Sequence, residues 1–392
     1  MAAACARDTE RDAAVLHARF GARALRVEVE ASGLRETLRV PAAELRALCL
    51  PLLHAAAAAV SAGTPRRVIV GIAGAAGSGK STLASLLSAL GNALADADAA
   101  DAGSGLSSFP RVACVSMDGY HLPNDELVAR GLRARKGVVE TIHGAALASD
   151  LELLLSPSPA ASLLPRAQAP HSAADPLGAR ASWAVVDADG TVRLAEYDRA
   201  VTHDPVLGAA PVPPSARLVL VEGLFVARGD GREQGAADAA GAAVVESLVG
   251  PDPLAWARVL ATQRETVLLA APLLLCRARC LQRRMRASLG RGEDAAARAA
   301  KLHATADHYA RNDAPTWHAI SRGDAQRASL VVELPLPPAL AAALAAAGGD
   351  ALAVPPEEAV AALEADERAA AAAGEGGFAG ARIVRRVGKQ LS

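Results

Sequence analysis

The chain has 392 residues, with 41 Lys and Arg against 42 Asp and Glu, and a formal net charge of −1. So even a balance gives no electrostatic footprint for a nucleic-acid backbone, and small molecules are the expected partners. Cys5, Cys49, Cys114, Cys276 and Cys280 are odd in number and scattered, which excludes a disulfide framework and reads as buried reduced thiols of an intracellular, cytoplasmic protein.

The N-terminus, MAAACARDTERD, carries acids early and lacks an apolar centre, so it is not a secretory signal; an organelle leader is disfavoured by the same acids but stays open. Residues 1–63 read as an extension built of a hairpin and a helix. Leu25, Val27 and Val29 alternate with charges, the chain turns at Ala31 to Gly33, and Leu38 and Val40 resume the alternation. The alanine-rich runs at 49–63 and 336–354 are interrupted by Pro, His, Gly or Asp, so no membrane span is expected.

Five short apolar runs follow: Arg67 to Ala73, Val112 to Ser116, Arg217 to Glu222, Thr266 to Ala271 and Ser329 to Leu334. Their continuous apolar character suits strands buried on both faces, and the helical stretches between most of them predict an α/β fold with a parallel sheet. Tracts rich in Ala, Pro, Ser and Gly at 93–108, 156–178 and 228–243 read as flexible insertions. A second hairpin, SWAVVDADGTVRLAEYD, offers Asp189-Gly190 as a two-residue turn. From 336 to 392 the chain reads as an Ala-rich helix and a loose tail.

Directly after the first strand comes GIAGAAGSGKST, which fits Gly74-x4-Gly79-Lys80-Ser81. The phosphate-binding loop needs this pattern because glycines let successive main-chain N–H groups curl around a polyphosphate. Gly74, Ala75, Ala76, Gly77, Ser78, Gly79 and Thr82 then cradle phosphate, Lys80 reaches the terminal phosphates and Ser81 ligates Mg2+. Leu83, Leu86, Leu87 and Leu90 mark a helix whose N-terminus points at the anion. Asp118 lies just beyond the second strand and Glu222 closes the third. In open α/β sheets this carboxyl edge gathers the ligand, so Lys80, Ser81, Asp118 and Glu222 are expected to converge.

GAAGSGKST, MDGYHLPNDEL, RGLRARKGVVET, YDRAVTHDPV, LVLVEGLF and CLQRRMRASLGRG together resemble the P-loop kinases that include phosphoribulokinase, uridine kinase and bacterial-type pantothenate kinase. The likeness is nearest to the uridine-kinase-like or fructose-transport-kinase-like branch with an MDGFH motif, and spans about residues 64–335. The resemblance implies a P-loop NTPase fold, a doubly wound five-stranded parallel sheet in the order 2-3-1-4-5, a helical lid, and transfer of phosphate from Mg-ATP to a small hydroxylated acceptor.

By the same resemblance, Asp118 orients or deprotonates the acceptor hydroxyl, and Glu222 acts on Mg2+ or its waters. Tyr120, His121, Arg135, Lys136, Glu140 and Tyr197 fall in acceptor-contacting segments. Of Arg279, Arg283, Arg284, Arg286 and Arg291, the pattern singles out Arg284 as catalytic and Arg291 as an ATP contact. Asn312 matches an asparagine that follows the lid. Phe225 joins Tyr120 and Tyr197 as a candidate pocket wall.

Two departures bear on the acceptor. The branch usually reads ETFD where this chain reads ETIH, with His143 in place of an aspartate, and the Pro-rich insertion precedes Tyr197. A remodelled acceptor pocket is therefore expected. DGYH at 118–121 in place of DxFY leans away from a nucleoside. The competing reading is a P-loop ATPase or nucleotide-dependent switch with no metabolite acceptor; a homodimer is left open.

Overall fold

A computed structural model describes residues 8–31, 34–60, 67–101, 108–156, 182–199, 201–229 and 253–385. Most of the insertions expected at 156–178 and 228–243 lie outside the described residues, as does Cys5.

The N-terminal extension opens with helix α1 (Thr9–Phe20), capped by the Asp8 carboxylate, which accepts from the N–H groups of Glu10 and Arg11. Strands β1 (Ala24–Ala31) and β2 (Leu34–Pro41) form the expected hairpin, in a register pairing Leu25 with Val40 and Val27 with Leu38. A helical run, α2 (Ala42–Ala59), follows, with a π turn at Leu45–Cys49. Contrary to expectation, it is long and apolar enough to cross a membrane by length and composition. Its Leu45, Leu48, Leu50 and Leu53 are buried in the protein core.

The central sheet contains all five expected strands: β3 (Val68–Gly74), β4 (Arg111–Ser116), β8 (Ala216–Gly223), β9 (Gln263–Ala270) and β10 (Leu330–Glu333). It is six-stranded, not five. The chain's last described strand, β11 (Arg382–Arg385), pairs antiparallel with β10, and the order is β11-β10-β9-β3-β8-β4. The adjacent pair Ile383-Val384 is too short a signal to be seen within an Ala- and Gly-rich tail, and the open edge of β10 gives the strand its partner.

Helix α3 (Lys80–Ala100) corrects the expectation of a flexible insertion over 93–100, and residues 102–107 of that tract lie outside the described residues. Alanine is the best helix former, and Leu94 and Asp98 keep the buried stripe going. Asp98 accepts from Arg11 at 2.8 Å and from the Phe109 N–H at 2.7 Å, tying α1 and the approach to β4 onto α3. Beyond β4, helix α4 (Gly144–Leu155) starts at His143, whose Nδ1 accepts from the Ala146 N–H. The residue that departs from the related branch thus serves as a helix cap.

The second hairpin is a three-stranded meander, β5 (Val185–Val186), β6 (Val192–Tyr197) and β7 (Pro205–Val212). Val186 pairs with Val192, so the turn is longer than the two residues expected. Gly190 keeps its positive φ of 83°, and the Asp189 side chain accepts from the Thr191 N–H. Helices α5 (Pro253–Ala261), α6 (Leu273–Gly290) and α7 (Ala295–His308) follow, and past β10 come α8 (Pro338–Ala346) and α9 (Pro356–Ala373). One hydrophobic core runs from Ala13 to Phe378, so both extensions share it. Cys49, Cys276 and Cys280 are buried free thiols, whereas Cys114, expected to be buried, is exposed on the edge strand β4.

The contact between the two extensions carries a pH signature. Burial pushes the Glu44 carboxyl, against the Phe378 backbone, up from 4.5 to about 7. The folded chain therefore holds a proton that the unfolded chain has already released, so this contribution is complete below about pH 4.5 and lost as pH rises through about 7. The full difference is roughly 3 to 3.5 kcal/mol. Urea unfolding of Glu44→Gln is expected to show a flatter fall in stability between about pH 5 and about pH 8 than the parent; an unchanged slope would count against this origin.

Candidate functional site

Strand β3 ends in the glycine loop, and α3 begins at Lys80 directly beyond it. Gly77 and Gly79 have φ of 81° and 97°. A Cβ on Gly77 would collide with the Cys276 carbonyl, so the loop can curl this tightly against α6 only with glycine there. The N–H groups at the start of α3 have no carbonyl four residues earlier within the helix, and Gly79, Lys80, Ser81 and Thr82 line the cavity there. The buried Ser78 hydroxyl has no hydrogen-bond partner in the protein.

This loop lies in a cavity of about 1170 Å3 whose wall includes Ala76, Gly77, Gly79, Lys80, Ser81, Thr82, Asp118, His121, Lys136, Tyr197 and Arg199. The β4–β8 register sets Ser116 opposite Glu222. The Ser116 hydroxyl donates to Glu222 Oε1 at 2.6 Å, while the buried Oε2 has no partner. Burial pushes the Glu222 carboxyl up, with Lys80 opposing.

Asp118 sits in a single 3-10 turn, Met117–Tyr120, that follows β4. Arg199, in the connection between β6 and β7, donates to its Oδ2 and lies over the Tyr197 ring, 5.2 Å from its centroid. Burial alone would raise the Asp118 carboxyl, but the charges of Arg199, His121 and Lys80 outweigh it and hold the group well below the usual carboxylate range. Arg199 escaped the sequence reading although it lies inside the quoted YDRAVTHDPV; its chemistry depends on a meander that folds back over the second strand's exit.

The remaining expected residues divide. His121 faces the cavity, its Nδ1 2.8 Å from the Asp118 carbonyl oxygen and its ring 5.1 Å from Tyr197. Burial lowers its pKa, against the pull of Asp118, so it is neutral near pH 7. Lys136 donates at 2.8 Å to both Asn124 Oδ1 and the His203 carbonyl, and stands over Tyr197. Tyr197 donates its hydroxyl to the His203 carbonyl at 2.6 Å.

Tyr120, Arg135, Glu140, Glu222, Arg284, Arg291 and Asn312 do not line the cavity, nor do Gly74, Ala75 and Ser78 of the glycine loop. Arg135 pairs with Glu140 at 3.0 Å, and Arg291, at the C-terminal cap of α6, pairs with Glu293 at 2.8 Å. Arg284 is exposed on the far face of α6, whose near face carries Arg279, Arg283 and Arg286. Asn312 donates to the Ala134 carbonyl at 3.1 Å, whereas the next residue, Asp313, reaches the cavity. Burial pushes Asp313 up to about 6 while Lys80 and Arg283 oppose the shift. One residue of helical phase separates the expected Asn312 from the observed Asp313, and that phase is set by the π turn Tyr309–Asp313.

Tyr120 is fully buried and donates its hydroxyl to Asp150 Oδ2 at 2.8 Å, with its ring stacked on Trp183 at 5.6 Å. Ser182 and the Trp183 N–H bind the other Asp150 oxygen, and burial pushes that carboxyl up to about 6. The network braces the Asp118 turn from behind. Tyr120→Phe is expected to cost roughly 1–3 kcal/mol of stability, since it strips a donor from a buried carboxylate. Denaturant unfolding checks the loss, and an acceptor KM raised with no loss of stability would return Tyr120 to the acceptor site. Phe225, another expected pocket wall, is fully buried and packs edge-on against Trp256.

No protein-family model matches the chain. It is similar to a pantothenate kinase from Streptomyces avermitilis, 42% identical over 88 residues, which is 22% of either chain. It is also similar to the uncharacterized protein YggC of Escherichia coli, 28% identical over 199 residues, or 51% of this chain and 64% of that one. The chain thus spans less than two thirds of the length of each of these relatives. Among solved structures, D-glycerate 3-kinase from Cryptococcus neoformans aligns over 73% of this chain and 92% of its own, at 14% identity and a TM-score of 0.42.

The residues present fit a magnesium–nucleotide complex. A glycine cradle at a helix N-terminus opens into the cavity beside Lys80 and Ser81, and behind the cavity wall the Ser78 hydroxyl and one Glu222 oxygen are buried without a partner. Among the described residues no cluster of three or more His, Cys, Asp or Glu forms a metal cage.

Proposed function

We propose that the protein is an ATP-dependent small-molecule kinase that moves the γ-phosphate of Mg-ATP to a hydroxyl of a sugar, polyol, nucleoside or pantothenate-like acceptor. The observation carrying this reading is that Lys80, the α3 N-terminus and a charge-clamped Asp118 open into one cavity. An ATPase or switch needs the first two and has no use for the third.

In this reading the glycine loop and the first turn of α3 hold the phosphates, and Lys80 offsets charge on the transferring group. Ser81 and Glu222 hold Mg2+, directly or through its waters, and the ion supplies charge neutralisation across the phosphates. Asp118 Oδ1 or Oδ2 accepts the acceptor's hydroxyl proton, with neutral His121 and Tyr197 walling the acceptor. Arg283, not Arg284, is the α6 arginine suited to gripping phosphate, because it faces the cavity and Asp313. Closing this pocket over both substrates keeps water from competing as acceptor.

The test is ADP release by purified protein with Mg2+ across nucleosides, pantothenate, glycerate, pentose phosphates and free sugars, with Lys80→Met as blank. Acceptor-dependent release is expected. ATP binding with only basal release for every compound would favour the switch.

A further inference from the structure

The cavity is longer than its phosphate loop and acceptor end require. Beyond Lys80 it continues along a stretch where Leu38 of the N-terminal hairpin, Leu86 of α3, Leu336, Leu363 of α9 and Phe378 supply apolar wall between the charged Glu36, Arg39, Glu44, Asp366 and Glu367. The loop Gly374–Gly380, which joins α9 to β11, forms the far wall.

That loop is anchored on both sides and at its centre. On one side, Gln282 and Arg286 of α6 donate to Glu367 of α9 at 2.7 and 3.1 Å. On the other, β11 is stitched to β10. At the centre, Arg279 spans the Ser78 carbonyl of the phosphate loop, at 3.1 Å, and the Gly377 carbonyl, at 3.4 Å. Phe378 Cε1 lies 3.5 Å from where a Cβ on Gly79 would stand, and Gly376 sits so close to Glu44 that a Cβ there would strike its carboxylate. A loop loosely lying on the surface would show neither the shared arginine nor the backbone-tight approach.

We infer that the loop Gly374–Gly380, with Phe378 at its centre, walls the half of the cavity that receives the base of the nucleotide. The inference rests on the kinase reading for the identity of the phosphate loop's ligand. Asp118, Arg199 and Tyr197 take one end of the cavity and the glycine cradle takes the anionic centre, so the apolar end is left for a flat aromatic group joined to a triphosphate. The chain completes its nucleotide site with its own C-terminal extension. Arg279, engaged with two carbonyls, holds the wall at a fixed height above the phosphate loop and is a positioning residue.

Calorimetric titration of the full-length protein with Mg-ATP and with magnesium tripolyphosphate tests this, using Phe378→Ala and a chain ending at Ala373. Phe378→Ala is expected to weaken ATP about tenfold, the scale of lost aromatic contact with a base, and to leave tripolyphosphate unchanged. The truncated chain is expected to show the same selective loss; should it fail to fold, the Phe378 variant decides. Unchanged ATP affinity overturns the inference, as does an equal loss for both probes, which would make the loop a buttress of the phosphate cradle. If the parent protein bound neither probe, the kinase reading itself would fall, a distinct result.

Discussion

Lys80→Met is expected to lower acceptor-dependent ADP release by at least about a hundredfold, the usual loss when a preorganised charge is removed from a transition state. Lys80 is 7% exposed, and its ammonium acts on Asp118, Glu222 and Asp313 together. Methionine keeps the apolar stem and deletes only the charge. The loss should therefore fall on kcat, with the thermal midpoint close to the parent's. Near-normal turnover in this variant would sink the phosphoryl-transfer assignment, because none of the other cavity cations, Arg39, Lys136, Arg199, Arg279, Arg283 and Arg286, lies in the glycine loop.

Asp118 and Arg199 make the second large prediction. Asp118→Asn removes the proton acceptor and is expected to cost about a hundredfold to ten-thousandfold in kcat. Arg199→Met tests the same group through its pH dependence. In the parent, Arg199 holds Asp118 well below the usual carboxylate range, so the group is ionised throughout the working range and an acid limb due to it lies at low pH. Removing the arginine leaves burial opposed only by His121 and Lys80, so the carboxyl pKa rises. The acid limb of kcat/KM should move to higher pH, with activity recovering as pH is raised. An Arg199→Met enzyme whose profile merely drops at every pH would show that Arg199 binds the acceptor without tuning Asp118.

The parts legible in the sequence were those with local causes. Apolar runs marked the five parallel strands because strands buried on both faces need no polar alternation. The glycine loop was legible because backbone curvature around an anion demands specific residue types at fixed spacing. Asp118 and Glu222 followed from chain position at strand ends. Elsewhere the local signal misled. Alanine tracts read as insertions at 93–100 are helix, since composition alone does not separate a packed alanine-rich helix from a linker. Tyr120, adjacent to the site in sequence, turns inward because Asp150 and Trp183 await it there.

The sequence by itself determined that this chain carries a strand–glycine loop–helix unit and acids at the same sheet edge. Those features depend on residues within a few positions of one another, where propensity and steric freedom act. Only the tertiary structure decided which arginines and acids face the cavity, since helical phase across a π turn selects Asp313 over Asn312, and the face of α6 selects Arg283 over Arg284. It alone brought Arg199 onto Asp118 and the C-terminal loop onto the phosphate loop, contacts spanning 81 and about 300 residues of chain. Pairings at such separation leave no periodic trace, because they arise from packing of whole elements on a shared core.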